Sequence, residues 1–360
     1  MLNKVIISGG GTGGHIFPAL AIAEEIKRRY PNCDILFVGA IGRMEMEKVP
    51  LAGFHIVGLP IIGIQRAITI QNLYVPFKLL SSLIKAQKII KEFNPQVVIG
   101  VGGYASAATL YMAARKRIPC LIQEQNSFAG LTNKLLGKIV TKICVAYPSM
   151  ERFFPSHKIY LTGNPVRKEI LQLEQYNQAE EKEKLGFNKE MPLVLVLGGS
   201  LGARSINNSI QAKLNSFDEN NIQVLWQTGK NFMPNTEGYK HIKAMPFIFD
   251  MASVYAAADI IVSRAGALSI SELSLVGKPV ILVPSPNVSE DHQTKNAMAL
   301  VDKKAAVLVK DNQASSQLVE TVLDLIKNED EKNILSQNVL TFGKKEAVIE
   351  IVNHIESIIH

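Results

Sequence analysis

His15 stands directly behind a run of glycines, Gly9-Gly10-Gly11-Thr12-Gly13-Gly14, which follows the short apolar stretch Lys4–Ser8. An imidazole with an ordinary pKa of about 6.5 can take up or return a proton near neutrality, and at such a place it can equally pack or cap. The run contains the spacing G-x-G-x-x-G between a strand and a helix, where backbone amides and the positive helix end suit a phosphate. A tight turn that simply needs glycine would look the same. A dinucleotide site also wants an acid at the end of the second strand to hold a ribose. Here that strand ends in Gly39-Ala40, with Asp34 at its start, which argues against a nicotinamide dehydrogenase. A second glycine turn, Gly198–Arg204, sets the Ser200 hydroxyl among backbone amides as a seat for a diphosphate. Ser263–Glu272 follows another strand with small residues. Its Glu272 either accepts hydrogen bonds from a ribose diol or stabilises the positive end of its helix. The polar cluster Glu290–Ala297, just past a strand end, reads as a ligand loop.

Other chemistries lack their residues. The chain has no D-x-D for a metal-bound diphosphate, no G-x-S-x-G and no ligand spacing for a metal, and His241, His354 and His360 sit in no constellation. Cys33, Cys120 and Cys144 are far apart and odd in number, which suits buried free thiols in a reducing compartment.

The elements that must carry these residues alternate apolar strand, glycine turn and amphipathic helix. Lys4–Ser8 leads to a helix pattern over Pro18–Arg29, then strands at Ile35–Val38 and Gln96–Val101, a helix near Ala105–Arg115, and strands at Pro119–Gln123 and Lys142–Ala146. The pattern restarts with a strand at Met191–Leu197, the second glycine turn and a helix over Ser205–Asn215, then strands at Gln223–Gln227, Ile260–Ser263 and Pro279–Val283. This is the grammar of parallel sheets with crossover helices, written twice in an α/β chain of 360 residues. The junction falls near Gly163–Arg167, giving domains over 1–165 and 166–342. No signal peptide is expected at the start. The uncharged stretch Val97–Ala114 holds Gly100, Gly102 and Gly103 where a strand gives way to a helix, so it is not read as a membrane span. Charge is uneven. Residues 1–165 carry 19 Lys and Arg against 8 Asp and Glu, whereas residues 166–360 carry 20 against 24, so the first half suits an anionic partner.

Seven segments resemble the MurG family of glycosyltransferases, in that family's order: GGGTGGHIFPALAIA, GGYAS, EQNSFAGLTNKLL, GNPVR, GGSLGARSIN, SRAGALSISE and EDHQTKNA, spanning residues 9 to 297. The resemblance implies the GT-B fold, two Rossmann-like domains with parallel sheets facing a central cleft, and a C-terminal helix at about 343–360 packing back on the first domain. It also implies inverting transfer of N-acetylglucosamine from UDP-N-acetylglucosamine to the C4 hydroxyl of the muramyl sugar of lipid I, giving lipid II, without a cofactor or catalytic metal. Ser200 and neighbouring amides would then hold the UDP diphosphate, Glu272 the ribose and Ile248 the uracil. Ala267, Leu268, Ser269, Ile270 and Ser271 would wrap the donor, and Gln293 and Asn126 would touch its sugar. Arg167 would lie at the hinge side of the nucleotide pocket, and Thr12, Gly13 and Gly14 beside the reacting sugars. His15 becomes the favoured general base, with Glu124 in reserve.

A lipid-linked acceptor calls for access to a bilayer. Pro60–Ile64 and Leu73–Leu80 are unusually apolar, and lysines follow at 78, 85, 88 and 91, of which the first three can share a helical face. This pattern suits reversible attachment to the anionic cytoplasmic face of the cell membrane, and an ordinary amphipathic core helix would share it. Other cell-wall synthesis proteins are further expected partners. Nucleic acid is not, because basic and aromatic residues do not interleave there. The rival readings are another GT-B enzyme with a soluble acceptor, a UDP-N-acetylglucosamine 2-epimerase, and a sugar-nucleotide sensor without catalysis.

Overall fold

The computed structural model describes residues 1–61, 75–199, 201–288 and 291–359. The chain divides into two compact units, Met1–Val166 with Glu346–His360, and Arg167–Lys345. In the first unit, strands β1 (Lys4–Ser8), β2 (Asp34–Ala40), β3 (His55–Leu59), β4 (Val97–Gly100), β5 (Cys120–Glu124), β6 (Lys142–Val145) and β7 (Ile159–Leu161) form one parallel sheet in the order β3-β2-β1-β4-β5-β6-β7. In the second, β8 (Leu193–Leu197), β9 (Gln223–Gln227), β10 (Ile242–Met245), β11 (Ile260–Ser263), β12 (Val280–Leu282) and β13 (Val307–Leu308) are ordered β10-β9-β8-β11-β12-β13. Both are doubly wound, with the strand order reversing beside the first strand of the unit. Ligands in such sheets bind outside the carboxyl ends of the strands at that reversal, which puts both glycine turns in the right place.

The strands are apolar on both faces because both faces are covered. In the first sheet Ile6, Val98 and Ile122 share one core with Ala86, Ile90 and Leu110. Their neighbours Val5, Ile7, Val97 and Leu121 face the other way, against Ile22 and Ile26 of the helix Gly13–Arg29 and Ile351, Val352 and Ile355 of the helix Ala347–Glu356. Arg29 fixes that C-terminal helix through Glu356 at 3.0 Å, Asn353 at 2.6 Å and the Ile349 carbonyl at 3.1 Å.

Two helices differ from the sequence reading. The first begins at Gly13 rather than Pro18. Thr12 is extended and its carbonyl accepts from the amides of His15 and Ile16, so a full turn forms ahead of the proline. Pro18 then costs one hydrogen bond inside the helix. The helix expected over Ser205–Asn215 breaks at Lys213 into Arg204–Ala212 and Leu214–Glu219, a kink that turns Leu214 and Phe217 into the core. The four edge strands, β3, β7, β10 and β13, are not among those expected from the sequence.

Candidate active site

In the first unit the turns after β1 and β4 interlock at the point where the strand order reverses. A Cβ on Gly103 would stand 2.6 Å from the Gly10 carbonyl oxygen, and one on Gly102 would stand 2.7 Å from His15 Nε2. His15 Nδ1 lies 3.0 Å from the Gly10 carbonyl. A carbonyl only accepts, so the neutral ring carries its proton on Nδ1 and its lone pair on Nε2, on the side of Gly102. That is the tautomer a general base needs. Thr12 is exposed, with Oγ1 3.4 Å from the same Nδ1, and its side chain does not cap the helix. The amides of Gly13 and Gly14 therefore open the helix without an intrahelical partner.

Glu124, the reserve base, is buried and fully engaged. Oε1 accepts from the Asn126 amide at 3.1 Å and Asn126 Nδ2 at 3.3 Å, and Oε2 accepts from the Gly130 amide at 3.1 Å and Asn133 Nδ2 at 2.9 Å. Its geometry shapes the loop that presents Asn126. Beside it, Gln125 donates to the Val101 carbonyl at 2.9 Å and Gln123 donates to Asn164 at 2.7 Å, so a buried amide network ties the loops after β4 and β5 to the Gly163–Pro165 segment.

In the second unit the glycine turn after β8 packs against the turn after β9. A Cβ on Gly202 would stand 2.0 Å from the Thr228 carbonyl oxygen, and Gly202 has φ +79°, so no other residue fits without moving backbone. Gln227 spans this region, donating to the Gly199 carbonyl at 3.0 Å and accepting from the Ile248 amide at 2.9 Å. The Ile248 side chain is buried. Ser200, expected at the diphosphate, lies outside the described residues.

The helix Ala267–Val276 starts after Gly266 without a side-chain cap, and its first internal hydrogen bond runs from the Ile270 amide to Gly266. The amides of Ala267, Leu268 and Ser269 thus point out of the helix start. Ser271 turns back to the Ala267 carbonyl at 3.0 Å. Glu272, 8% exposed, is held by Arg167 Nε at 2.9 Å, and the buried Tyr255 hydroxyl donates to its other oxygen at 3.3 Å. Burial raises the Glu272 carboxyl above its ordinary range and the Arg167 charge opposes that rise. Gln293 accepts from the Ser285 amide at 2.8 Å, which braces the loop after β12. Arg264 leaves the site, bonding Asp311 at 2.5 Å and the Val283 carbonyl at 3.0 Å.

The structure therefore puts Thr12, Gly13, Gly14, His15 and Asn126 beyond the carboxyl ends of β1 and β5 in the first unit. In the second unit, Arg167 and Ile248 lie in loops, Ala267–Glu272 in the first turns of the helix Ala267–Val276, and Gln293 in the first turn of the helix His292–Val301. Sequence reasoning missed Glu45, Gln227 and Tyr255. Among the described residues, no group of three or more His, Cys, Asp or Glu is placed to hold a metal ion.

Two doubly wound units, each with its glycine turn at the strand reversal, define the GT-B class of architecture. Residues 5–145 match the glycosyltransferase family 28 N-terminal domain and residues 193–351 its C-terminal domain. The chain belongs to glycosyltransferase family 28. It is 55% identical over 359 residues to the UDP-N-acetylglucosamine--N-acetylmuramyl-(pentapeptide) pyrophosphoryl-undecaprenol N-acetylglucosamine transferase of Cytophaga hutchinsonii, covering 99% of this chain and 97% of that one. The crystal structure of Acinetobacter baumannii MurG matches with a TM-score of 0.80 at 27% identity, over 99% of this chain and 100% of that one. A UDP-N-acetylglucosamine 2-epimerase structure shares the fold alone, with a TM-score of 0.64 at 15% identity over 98% and 95% of the two chains.

Proposed function

We propose that this protein transfers N-acetylglucosamine from UDP-N-acetylglucosamine to the C4 hydroxyl of the N-acetylmuramyl sugar of lipid I, forming lipid II for peptidoglycan. The observation that carries the reading is the end-to-end similarity to a transferase of that name. The His15 tautomer supports it. As the acceptor hydroxyl attacks the anomeric carbon, His15 Nε2 takes its proton, the bond from that carbon to the UDP oxygen breaks, and the configuration inverts. The charge appearing on UDP would fall to the amides at the starts of Arg204–Ala212 and Ala267–Val276 and to Arg167. Glu272 would take the ribose diol, and the loop carrying Ile248 the uracil. Asn126 and Gln293 would contact the donor sugar.

The lipid acceptor would be met at the cytoplasmic membrane surface. On the helix Val75–Phe93, Phe77, Leu80 and Ile84 are exposed along one face, with Leu79 beside them. Lys78 and Lys88 stay exposed nearby, whereas Lys85 turns back to the Gly58 carbonyl at 2.7 Å. Residues 62–74, which take in Ile62–Ile64 of the first expected apolar stretch and Leu73 and Tyr74 of the second, lie outside the described residues. No helix among the described residues is long and apolar enough to cross a membrane, and an apolar face with basic neighbours suits peripheral attachment.

The test is transfer of label from UDP-N-acetylglucosamine to a lipid I analogue, with EDTA present. Label in the lipid product is expected. Tight donor binding without transfer would overturn the acceptor assignment, and conversion of the donor alone to its 2-epimer would favour the epimerase.

A further inference from the structure

Glu45 is a carboxylate with 1% exposure, and the mechanism above leaves it unused. It opens the short helix Glu45–Leu51, five residues past the end of β2, and its side chain reaches back to the glycine turn after β1. Oε2 accepts from the Gly11 amide at 2.8 Å and Oε1 from the Ala40 amide at 2.9 Å. The fit leaves no room for a side chain opposite. A Cβ on Gly10 would stand 2.2 Å from the Glu45 carboxyl carbon, and one on Gly39 would stand 2.5 Å from its Cγ. In a dinucleotide-binding fold the amides of this turn face a phosphate. Here the chain supplies its own anion.

We propose that Glu45 is a positioning residue for the transfer reaction: its carboxylate occupies the anion seat of the first glycine turn and fixes the Gly10–Gly11 backbone that orients His15. The link is short. Glu45 holds the Gly11 amide, the preceding carbonyl is that of Gly10, and that carbonyl accepts the His15 Nδ1 proton. If the peptide turned, Nδ1 would lose the Gly10 carbonyl, and that bond would no longer hold the lone pair on Nε2. A second consequence is electrostatic. A fixed carboxylate on the Gly11 amide makes that end of the turn less attractive to a phosphate. The inference rests on the proposed transfer reaction for its kinetic arm only.

The test uses the full chain with Glu45→Ala and Glu45→Gln. Alanine empties the seat, and glutamine offers one oxygen to two amides. Because each variant loses hydrogen bonds to a charged acceptor, kcat should fall about 10- to 100-fold in both while the donor KM stays within about 2-fold. Formate should refill the seat in Glu45→Ala and restore kcat about 5-fold or more in a saturable way, whereas chloride at equal ionic strength should not. Nitrogen NMR of labelled histidine should show the Nδ1–H form of His15 in the unmodified protein and a mixture in both variants. A kcat within about 2-fold of the unmodified protein in Glu45→Gln would overturn the proposal, as would a loss that formate leaves untouched with the His15 tautomer unchanged. If Glu45→Ala does not fold, the glutamine variant decides by kcat and tautomer. If the unmodified protein transfers no sugar, the functional reading falls and the tautomer measurement alone judges Glu45.

Discussion

Replacing Glu272 with glutamine tests the proposed donor site at a buried, paired carboxylate. The carboxylate lies almost out of water, with Arg167 on one oxygen and Tyr255 on the other. Each oxygen has two lone pairs, so the group can accept a ribose diol without releasing either partner. Hydrogen bonds to a charged acceptor contribute about 1.5–3 kcal/mol each. Glutamine keeps the volume and one acceptor oxygen, loses the charge, and turns an amide donor toward either the diol or Tyr255. A net loss of about 2–3 kcal/mol follows, or about 30- to 150-fold in the UDP-N-acetylglucosamine Kd. The pH dependence carries its own sign. Burial raises the Glu272 carboxyl, so the acid form is favoured at low pH, and donor affinity should grow as pH rises through that raised value and then level off. For folding itself, a raised carboxyl contributes stability below its unfolded value that is lost as pH rises through the folded one. Arg167→Met removes the charge that restrains the rise, so its affinity curve should move to higher pH, and Glu272→Gln should abolish the curve. Calorimetric titration of the donor between about pH 5 and 8 reads all three proteins. A glutamine variant whose Kd stays within about 3-fold, or an Arg167→Met curve displaced to lower pH, would refute the ribose assignment.

Four further outcomes are expected. His15→Ala should lower kcat about 10²- to 10⁴-fold with donor Kd unchanged, as measured by transfer assay and calorimetry. Phe77→Ser with Ile84→Ser should weaken sedimentation with anionic vesicles about 10-fold or more, with transfer to a soluble acceptor analogue preserved, since each exposed apolar side chain gives about 1.5–3 kcal/mol on burial. Gly202→Ala should cost about 1–3 kcal/mol in thermal unfolding and weaken donor binding, because its Cβ would collide with the Thr228 carbonyl. The Glu25 carboxyl is held at about 2, chiefly by its hydrogen bond to Arg28 with Arg29 adding to it. A depressed carboxyl contributes stability above its unfolded value of 4.5 that is lost as pH falls toward about 2. Arg28 is solvent-exposed and screened, so Glu25→Gln should cost about 1 kcal/mol at neutral pH, and the gap in thermal midpoint from the unmodified protein should close in acid.

The parallel sheets are legible because most of their central strands are continuous apolar runs, and β1, β4 and β8 each lead into a glycine turn. β8 reads LVLVL and is buried throughout. Short strands beyond the centre carry no such signal: β13 spans Val307–Leu308, and β7 is only half-buried. The site divides in the same way. Residues inside dense motifs, such as Glu272 and His15, stood out by spacing. Gln227 and Tyr255 did not, because their roles depend on which strand ends and helices the topology brings together. Glu45 is the instructive miss. A dinucleotide site wants an acid at the end of β2, where this chain has Gly39-Ala40. The acid comes five residues later, after the chain has turned, and reaches the glycine loop only through the fold. Glu124 shows the converse, since its place in a motif suggested proton transfer and its four hydrogen bonds spend it on loop shape.

The two glycine turns show how one local grammar can serve opposite charges. Each joins the first strand of its unit to a helix at the strand reversal, and each exposes backbone amides by that geometry alone. In the first unit a buried carboxylate, Glu45, already sits on the Gly11 amide. Among the described residues of the second unit, the side chain bridging the turn is the neutral amide Gln227, which binds the Gly199 carbonyl and leaves the turn without a fixed negative charge. Asp311, which reaches Ser205 at the start of the following helix, is paired with Arg264. On the proposed function, an anion would be held at the second turn and disfavoured beside Gly11 at the first. A transferase needs that asymmetry, because a nucleotide diphosphate must be held where its charge develops while a neutral hydroxyl loses its proton beside a histidine. Restoring neutrality at the first turn, as in Glu45→Gln, should thus cost catalysis even where it leaves the fold intact.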